Sequence, residues 1–244
     1  MRLTRVFVDQ ALQTGMRVAL PENAGAHLVR VLRLREGEAC VLFNGDGNDY
    51  NARLMAANKR GVEAEVLDAR SVDNESPLRL VLLQGIARGE KMDLILQKAT
   101  ELGVAAIAPV FADRTEVRLD GDRLEKRMAH WRSVVVSACE QSGRARIPEL
   151  LPACALAEAA AALDADALKL ILDPLGEYRF ATLASAHAAG IVVGIGPEGG
   201  WSEKDRTILR THGFSGLRLG PRVLRTETAG LAAIAALQAK FGDL

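Results

Sequence analysis

Two short stretches hold the residue types needed for chemistry. GPEGGWSEKD (196–205) sets Gly196, Gly199 and Gly200 around Pro197 and Glu198, and LGPRVLRTETA (219–229) brings Arg225, Thr226 and Glu227 together. Each contains a Gly-Pro pair directly after an apolar run, at Gly196-Pro197 and Gly220-Pro221. Glycine permits unusual φ and proline fixes it, so both are expected to be rigid turns that expose backbone groups. A glycine-rich turn after a buried strand first suggests phosphate, held by bare N–H groups. Here Pro197 has no N–H to give and Glu198 repels an anion. Neither the P-loop nor the dinucleotide glycine fingerprint can be drawn through these positions. A different ligand, or a pair of ordinary βα turns, is left.

The elements that must position these loops read as strand then helix. Apolar runs at 78–87, 104–112, 168–173, 190–196 and 216–220 alternate with helical segments, as expected of an α/β domain with a largely parallel sheet. Ligands of such sheets gather at the carboxyl ends of strands, where both loops fall, together with DPLGE (173–177). Ile95, Ala99 and Leu102 share a face in 93–103, and Gly103 is placed to end that helix. Leu124, Met128, Trp131, Val135 and Ala138 recur at helical spacing in 123–143, so Trp131 and Met128 are read as core rather than a ligand box. The segment 226–242 is read as a helix with Thr226 as N-cap and Glu227 in the first turn, where its charge suits the helix dipole. No charge falls between Ala229 and Leu237, so this helix is expected deep in the domain or in a subunit interface.

The polar segment 71–77, ending in Pro77, reads as a linker and divides the chain into 1–72 and 73–244. Before it, short alternating runs at 4–9, 17–21, 38–45, 49–56 and 61–69 predict a small antiparallel sheet or barrel. GAHLVRVLRLREG (25–37) predicts a short helix with a basic face ending near Gly37. Residues 1–35 hold six arginines against Asp9 and Glu22, which suits either a solvated face or an RNA-holding surface. His27, at the centre of this region, is read as packing or capping.

Composition narrows the class without choosing a partner. A chain of 244 residues with 49% hydrophobic content can bury one large core or two smaller ones. Lys plus Arg equals Asp plus Glu at 31 each, so net charge argues neither for nor against nucleic acid. Cys40, Cys139 and Cys154 are odd in number, far apart and without histidines at metal spacing, which suggests a reducing cytoplasm without a disulfide frame or metal site. The first residues lack a signal-type apolar region, and no apolar run reaches about 18 residues without a charge, so a soluble intracellular protein is expected.

HLVRVLR (27–33), ARGEKMDLILQKATELGV (87–104), ACEQSGRARIPE (138–149), IGPEGG (195–200) and LGPRVLRTETA (219–229) match a known pattern in order and spacing. On these motifs the chain resembles, over essentially its whole length, the ribosomal RNA small-subunit methyltransferase E family of the SPOUT superfamily. DPLGE is the weakest correspondence. The resemblance implies methylation of N3 of one uridine of 16S rRNA in the small ribosomal subunit, with S-adenosylmethionine as donor. It also implies an N-terminal PUA-like β-barrel, a C-terminal α/β domain with a deep trefoil knot, and a homodimer with active sites near the interface. Periodicity alone suggests an open parallel sheet, and the general expectation is against knots.

The same resemblance gives the residues expected roles. S-adenosylmethionine carries a sulfonium, an amino acid end, a ribose and an adenine, and no phosphate, which suits a loop holding Pro197 and Glu198. Backbone groups of Gly196, Gly199, Gly200, Leu219, Gly220 and Leu224 are expected to hold adenine and ribose, with Leu172, Asp173, Gly194, Pro197 and Thr226 completing the pocket. N3 of uracil must lose its proton before it has a free lone pair in the ring plane, which asks for a base or for a cation at the carbonyl oxygens. Arg225 is the first choice for the cation, and Glu227 or Glu198 for the carboxylate. The plainer alternatives are a dipole role for Glu227, a salt bridge between it and Arg225, and a loop-holding or ribose-contacting role for Glu198. Arg88, Lys91, Arg144 and Arg146, with Arg30 and Arg33 from the first domain, are expected to meet RNA phosphates. Competing readings are a relative acting on transfer RNA or another rRNA base, and an RNA-binding assembly protein that uses the pocket as a sensor. A dinucleotide oxidoreductase is disfavoured by the missing glycine fingerprint and its acidic partner about 20 positions on.

Overall fold

Five short alternating runs form the first sheet: β1 (Arg5–Phe7), β2 (Arg17–Ala19), β3 (Ala39–Phe43), β4 (Asn48–Leu54) and β5 (Glu63–Ser71). The structure, a computed structural model, describes residues 3–55, 61–183 and 190–244. Arg2, and Ala56 at the end of one expected strand, lie outside the described residues. The strands pair in the order β1-β3-β4-β5-β2, and Val6, Val18, Leu42, Leu54 and Val66 meet in one buried cluster. The expected purely antiparallel sheet needs correction at one edge, because β1 runs parallel to β3 with Val6 opposite Leu42. A parallel pair requires a crossover, and the chain between these strands holds β2 and α1 (Glu22–Ala26).

The single basic helix expected over 25–37 is shorter and irregular. From α1 the chain passes into one π-helical turn over His27–Val31, closed by the Leu32 N–H on the His27 carbonyl at 3.0 Å. Arg33 then takes φ 58° and the Leu34 N–H turns back to the Leu28 carbonyl, so the helix stops short of Gly37. Leu28 is buried, whereas Arg30 and Arg33 are exposed.

The second sheet contains β6 (Leu80–Gly85), β7 (Ala106–Phe111), β8 (Glu149–Leu150), β9 (Cys154–Ala155), β10 (Leu168–Leu172), β11 (Tyr178–Arg179), β12 (Ile191–Ile195) and β13 (Ser215–Arg218). Its order is β11-β13-β10-β12-β6-β7-β8, with β9 also beside β7, and these pairings are all parallel. Every position of β6 and β12 is buried, as expected when helices cover both faces. The helices are α2 (Glu90–Glu101), α3 (Gly121–Ser142), α4 (Leu156–Ala162), α5 (Glu203–Thr211) and α6 (Thr226–Phe241). Gly103, at φ 81°, follows α2 as its spacing predicts. Trp131 is in the core, and Met128 is half-buried.

Two helix starts differ from the sequence reading. WSEKD does not continue the loop, because Ser202 caps α5: its hydroxyl accepts from the Asp205 N–H while Asp205 accepts from the Ser202 N–H. Thr226 is the first residue of α6 rather than its cap, and Arg225 holds the N-cap position without a side-chain bond. α6 is enclosed on one side only. Ala233, Ile234 and Leu237 are buried, but Ala232 and Ala239 are exposed and Leu231 and Ala235 half-buried.

The chain groups into two units, Met1–Glu75 with Cys139–Ile147 and Ser76–Ala138 with Pro148–Leu244. The end of α3 and the turn after it therefore belong with the first sheet. Among the described residues, no helix is long and apolar enough to cross a membrane.

Candidate active site

Loops after β6, β7, β10, β12 and β13 converge at the carboxyl ends of the parallel strands. Together with the first turn of α6 they enclose a cavity of about 480 Å³, within the range of small-molecule sites. Its wall includes Leu172, Asp173, Gly196, Pro197, Glu198, Gly199, Gly200, Leu219, Gly220, Leu224, Arg225, Thr226 and Glu227. The two Gly-Pro pairs, 24 positions apart in sequence, thus line one cavity.

Close backbone approach explains several glycines. A Cβ on Gly85, at the end of β6, would stand 2.5 Å from the Pro197 Cδ. One on Gly199 would stand 2.9 Å from the Arg114 Cβ, and Arg114 also donates to the Gly199 carbonyl at 2.9 Å. The Gly200 N–H closes the turn on the Pro197 carbonyl at 2.8 Å, with Gly200 at φ 65°. Gly194 is different. It sits inside β12 and is absent from the cavity wall; a Cβ there would meet Ile171 at 3.0 Å, so its small size serves strand packing.

The carboxylates on the wall are held in distinct ways. Glu198 accepts from the Arg88 N–H at 3.0 Å and from the Lys91 ammonium at 3.2 Å. Partial burial pushes its pKa up, but these hydrogen bonds, one from its own N–H and the charge of Lys91 outweigh that and hold it below the ordinary carboxylate value. Asp173 accepts from Arg206 at 2.7 Å and from the Leu175 N–H at 2.9 Å; again desolvation is outweighed and the pKa is lowered. No ion pair joins Arg225 to Glu227 among the described residues, and the Glu227 Oε2 is buried without a hydrogen-bond partner. The Trp201 Nε1 and the Arg218 Nε, on two other wall residues, share that condition.

Sequence reasoning missed Arg114, Trp201, Arg206, Arg218 and Arg222 on this wall. Arg114 follows β7 at the ligand-bearing end of the sheet, a position that topology rather than motif would have marked. With Arg88, Lys91 and Arg225 these make seven cations against three carboxylates on the wall, and Glu116 on Arg88 and Glu203 on Arg206 reduce the excess to two (7 − 5), a mildly cationic rim.

The expected RNA contacts do not all stay available. Arg30, Arg33 and Arg146 are exposed, Arg88 pairs with Glu116 at 2.6 Å, and Lys91 is engaged by Glu198. Arg144 needs correction as a phosphate contact. It is 5% exposed, its guanidinium is bonded to Glu75 through both Nε and Nη2, and its carbonyl accepts from Arg5 at 2.9 Å.

Comparison with known proteins places these features. An RNA methyltransferase domain model matches residues 74–238, and an RNA methyltransferase PUA domain model matches residues 20–67. Ribosomal RNA small subunit methyltransferase E of Buchnera aphidicola is 32% identical over 249 aligned positions, covering 100% of this chain and 98% of that protein. The same-named protein of Mycobacterium bovis is 33% identical over 235 positions, covering 95% and 89%. The crystal structure of ribosomal RNA small subunit methyltransferase E from Neisseria gonorrhoeae bound to S-adenosyl methionine superposes with a TM-score of 0.94 at 43% identity, covering 99% of each chain. The chain therefore belongs to the ribosomal RNA small subunit methyltransferase E family.

Proposed function

We propose that this chain transfers a methyl group from S-adenosylmethionine to N3 of one uridine in 16S rRNA. Family membership carries the coarser statement, a methyltransferase acting on small-subunit rRNA. The observation that carries the donor assignment is the cavity itself. It is lined by two glycine-containing loops, by the apolar side chains of Leu172, Ile195 and Leu217, and by Arg225, Thr226 and Glu227 of the α6 terminus. Such a lining suits a ligand with an adenine face, ribose hydroxyls and an amino acid end better than one built around phosphate.

When bound, the donor supplies a methyl group on cationic sulfur. The loop backbone at Gly196, Gly199, Gly200, Leu219, Gly220 and Leu224 holds adenine and ribose. Arg225, exposed at the α6 N-cap, stabilises the negative charge that develops on the uracil oxygens as N3 loses its proton. The cationic mouth receives the RNA backbone, with Arg30, Arg33 and Arg146 adding phosphate contacts. Uridine N3 as acceptor is supported by the motifs shared with the family. The uncovered alanine face of α6 supports a homodimer, and the same reading includes the trefoil knot and a cytoplasmic setting.

Incubation of labelled donor with undermethylated small subunits and with free rRNA, followed by mapping of the labelled base, tests the acceptor. Label at a uridine N3 is expected, and label in transfer RNA alone overturns that assignment. Calorimetry should detect S-adenosylmethionine and not NAD. Donor binding without transfer to any RNA would make the chain a sensor rather than an enzyme.

A further inference from the structure

Three carboxylates line the cavity, and their partners divide them. Asp173 spends both oxygens on Arg206 and the Leu175 N–H, and Glu198 is committed to Arg88 and Lys91. Protonating either would forfeit charge-assisted bonds, so neither is suited to taking a proton. Glu227 is the exception. It is half-buried in the first turn of α6, makes no ion pair among the described residues, and keeps its Oε2 buried without a hydrogen-bond partner. Of the three wall carboxylates it alone has no cation or N–H holding it among the described residues, so protonating it forfeits no charge-assisted bond.

We propose that Glu227 takes the proton released by the acceptor nitrogen, while Glu198 is a positioning residue that ties the loop 196–200 to the residues before α2. This rests on the reading that a ring N–H is methylated. The N3–H bond breaks and the proton passes to the Glu227 carboxylate. N3 keeps the electron pair and forms the new N–CH3 bond, while the pair of the broken S–CH3 bond stays on the sulfur of the departing S-adenosylhomocysteine. Glu227 then returns the proton to solvent. Arg225 and Glu227 lie two residues apart and line the same cavity, so one helix terminus supplies both the cation for the carbonyl oxygens and the base for the nitrogen.

The test uses the full chain with Glu227→Gln, Glu227→Asp and Glu198→Gln. Donor affinity is read by calorimetry, and transfer is read on rRNA transcribed with uridine or with 5-fluorouridine, whose N3–H is more acidic and needs less help from a base. Glu227→Gln should bind the donor as wild type does and keep its KM for RNA, while kcat falls by about 10² to 10⁴-fold. On fluorinated RNA that loss should shrink, as the Brønsted dependence of proton transfer predicts. If Glu227→Gln does not fold, Glu227→Asp carries the same comparison with a smaller loss. Glu198→Gln should weaken donor binding and lose equal activity on both RNAs. Retention of kcat by Glu227→Gln, or an equal loss on both RNAs, overturns the proposal. Wild-type label at an atom other than a ring nitrogen overturns the uridine N3 reading instead, a result seen before any variant is made.

Discussion

Thr226 donates its hydroxyl to the Gly196 carbonyl at 2.6 Å and accepts from the Gln84 amide at 3.2 Å. Gln84 also donates to the Gly85 carbonyl at 2.8 Å and has no exposed surface. One buried hydroxyl thereby links the end of β6, the loop after β12 and the start of α6. Removing it takes the donor from the half-buried Gly196 carbonyl and one of two bonds from the buried Gln84 amide, at a cost of about 1–3 kcal/mol. Thr226→Val should lower stability to denaturant by that amount and weaken donor binding, whereas Thr226→Ser should restore both. Equal stability of the Val and Ser variants would contradict this role.

Gly85 lets Pro197 lie against the end of β6. A methyl group there must displace the Pro197 backbone as well as its ring, because the nearest atoms are the Pro197 Cδ at 2.5 Å and N at 2.6 Å. Overpacking of this kind costs about 1–3 kcal/mol, and the loop is the part able to move. Gly85→Ala should therefore raise the donor Kd by about tenfold, since 1.4 kcal/mol corresponds to that factor. Gly220→Ala is the steric contrast: no atom lies within 4 Å of its added Cβ, and unfolding should be unchanged.

Acid should loosen the donor loop through Glu198. Its pKa is lowered on folding from an ordinary 4.5, so the stabilisation it contributes is present above that value and lost as pH falls through the lower folded one. The difference in thermal stability between wild type and Glu198→Gln should be constant from neutral pH down to about 5 and shrink below it. A difference that stays unchanged down to pH 3 would show that the carboxylate charge is not what holds the loop.

Arginines of similar appearance in the sequence should behave in opposite ways. Arg144→Ala strands Glu75 within the first unit and should cost on the order of 2 to 3 kcal/mol, below the fully buried range because Glu75 keeps 26% of its side-chain surface. Arg30→Ala and Arg33→Ala should leave unfolding unchanged and each reduce the salt slope of RNA binding by about one. Unfolding curves and binding titrations at several salt concentrations separate the two behaviours.

Much of the fold was legible because it depends on local pattern. The apolar runs at 78–87, 104–112, 168–173, 190–196 and 216–220 correspond to β6, β7, β10, β12 and β13, and Gly103 ends α2 where its spacing requires. The parallel β1–β3 edge was hidden, since strand direction is set by pairing and not by alternation. The Ser202 cap was readable in principle: Ser202 and Asp205 stand three apart, the spacing of a capping box. The π-helical turn at His27–Val31 has no such signature.

Residue types and spacing alone determined that this chain holds a strand-and-helix domain, that its two Gly-Pro loops lie at the ligand end of the sheet, and that a phosphate cradle does not fit them. Only the tertiary structure decided how the charges divide. Arg144 and Arg146 are two residues apart, yet one is buried on Glu75 and the other exposed, because burial is a property of what packs above a side chain. Glu198 and Glu227 were both candidates for the carboxylate by residue type. Their neighbours separate them: Glu198 is drawn into bonds with Arg88 and Lys91 from over 100 positions away, and Glu227 is left with an oxygen that nothing in the fold satisfies.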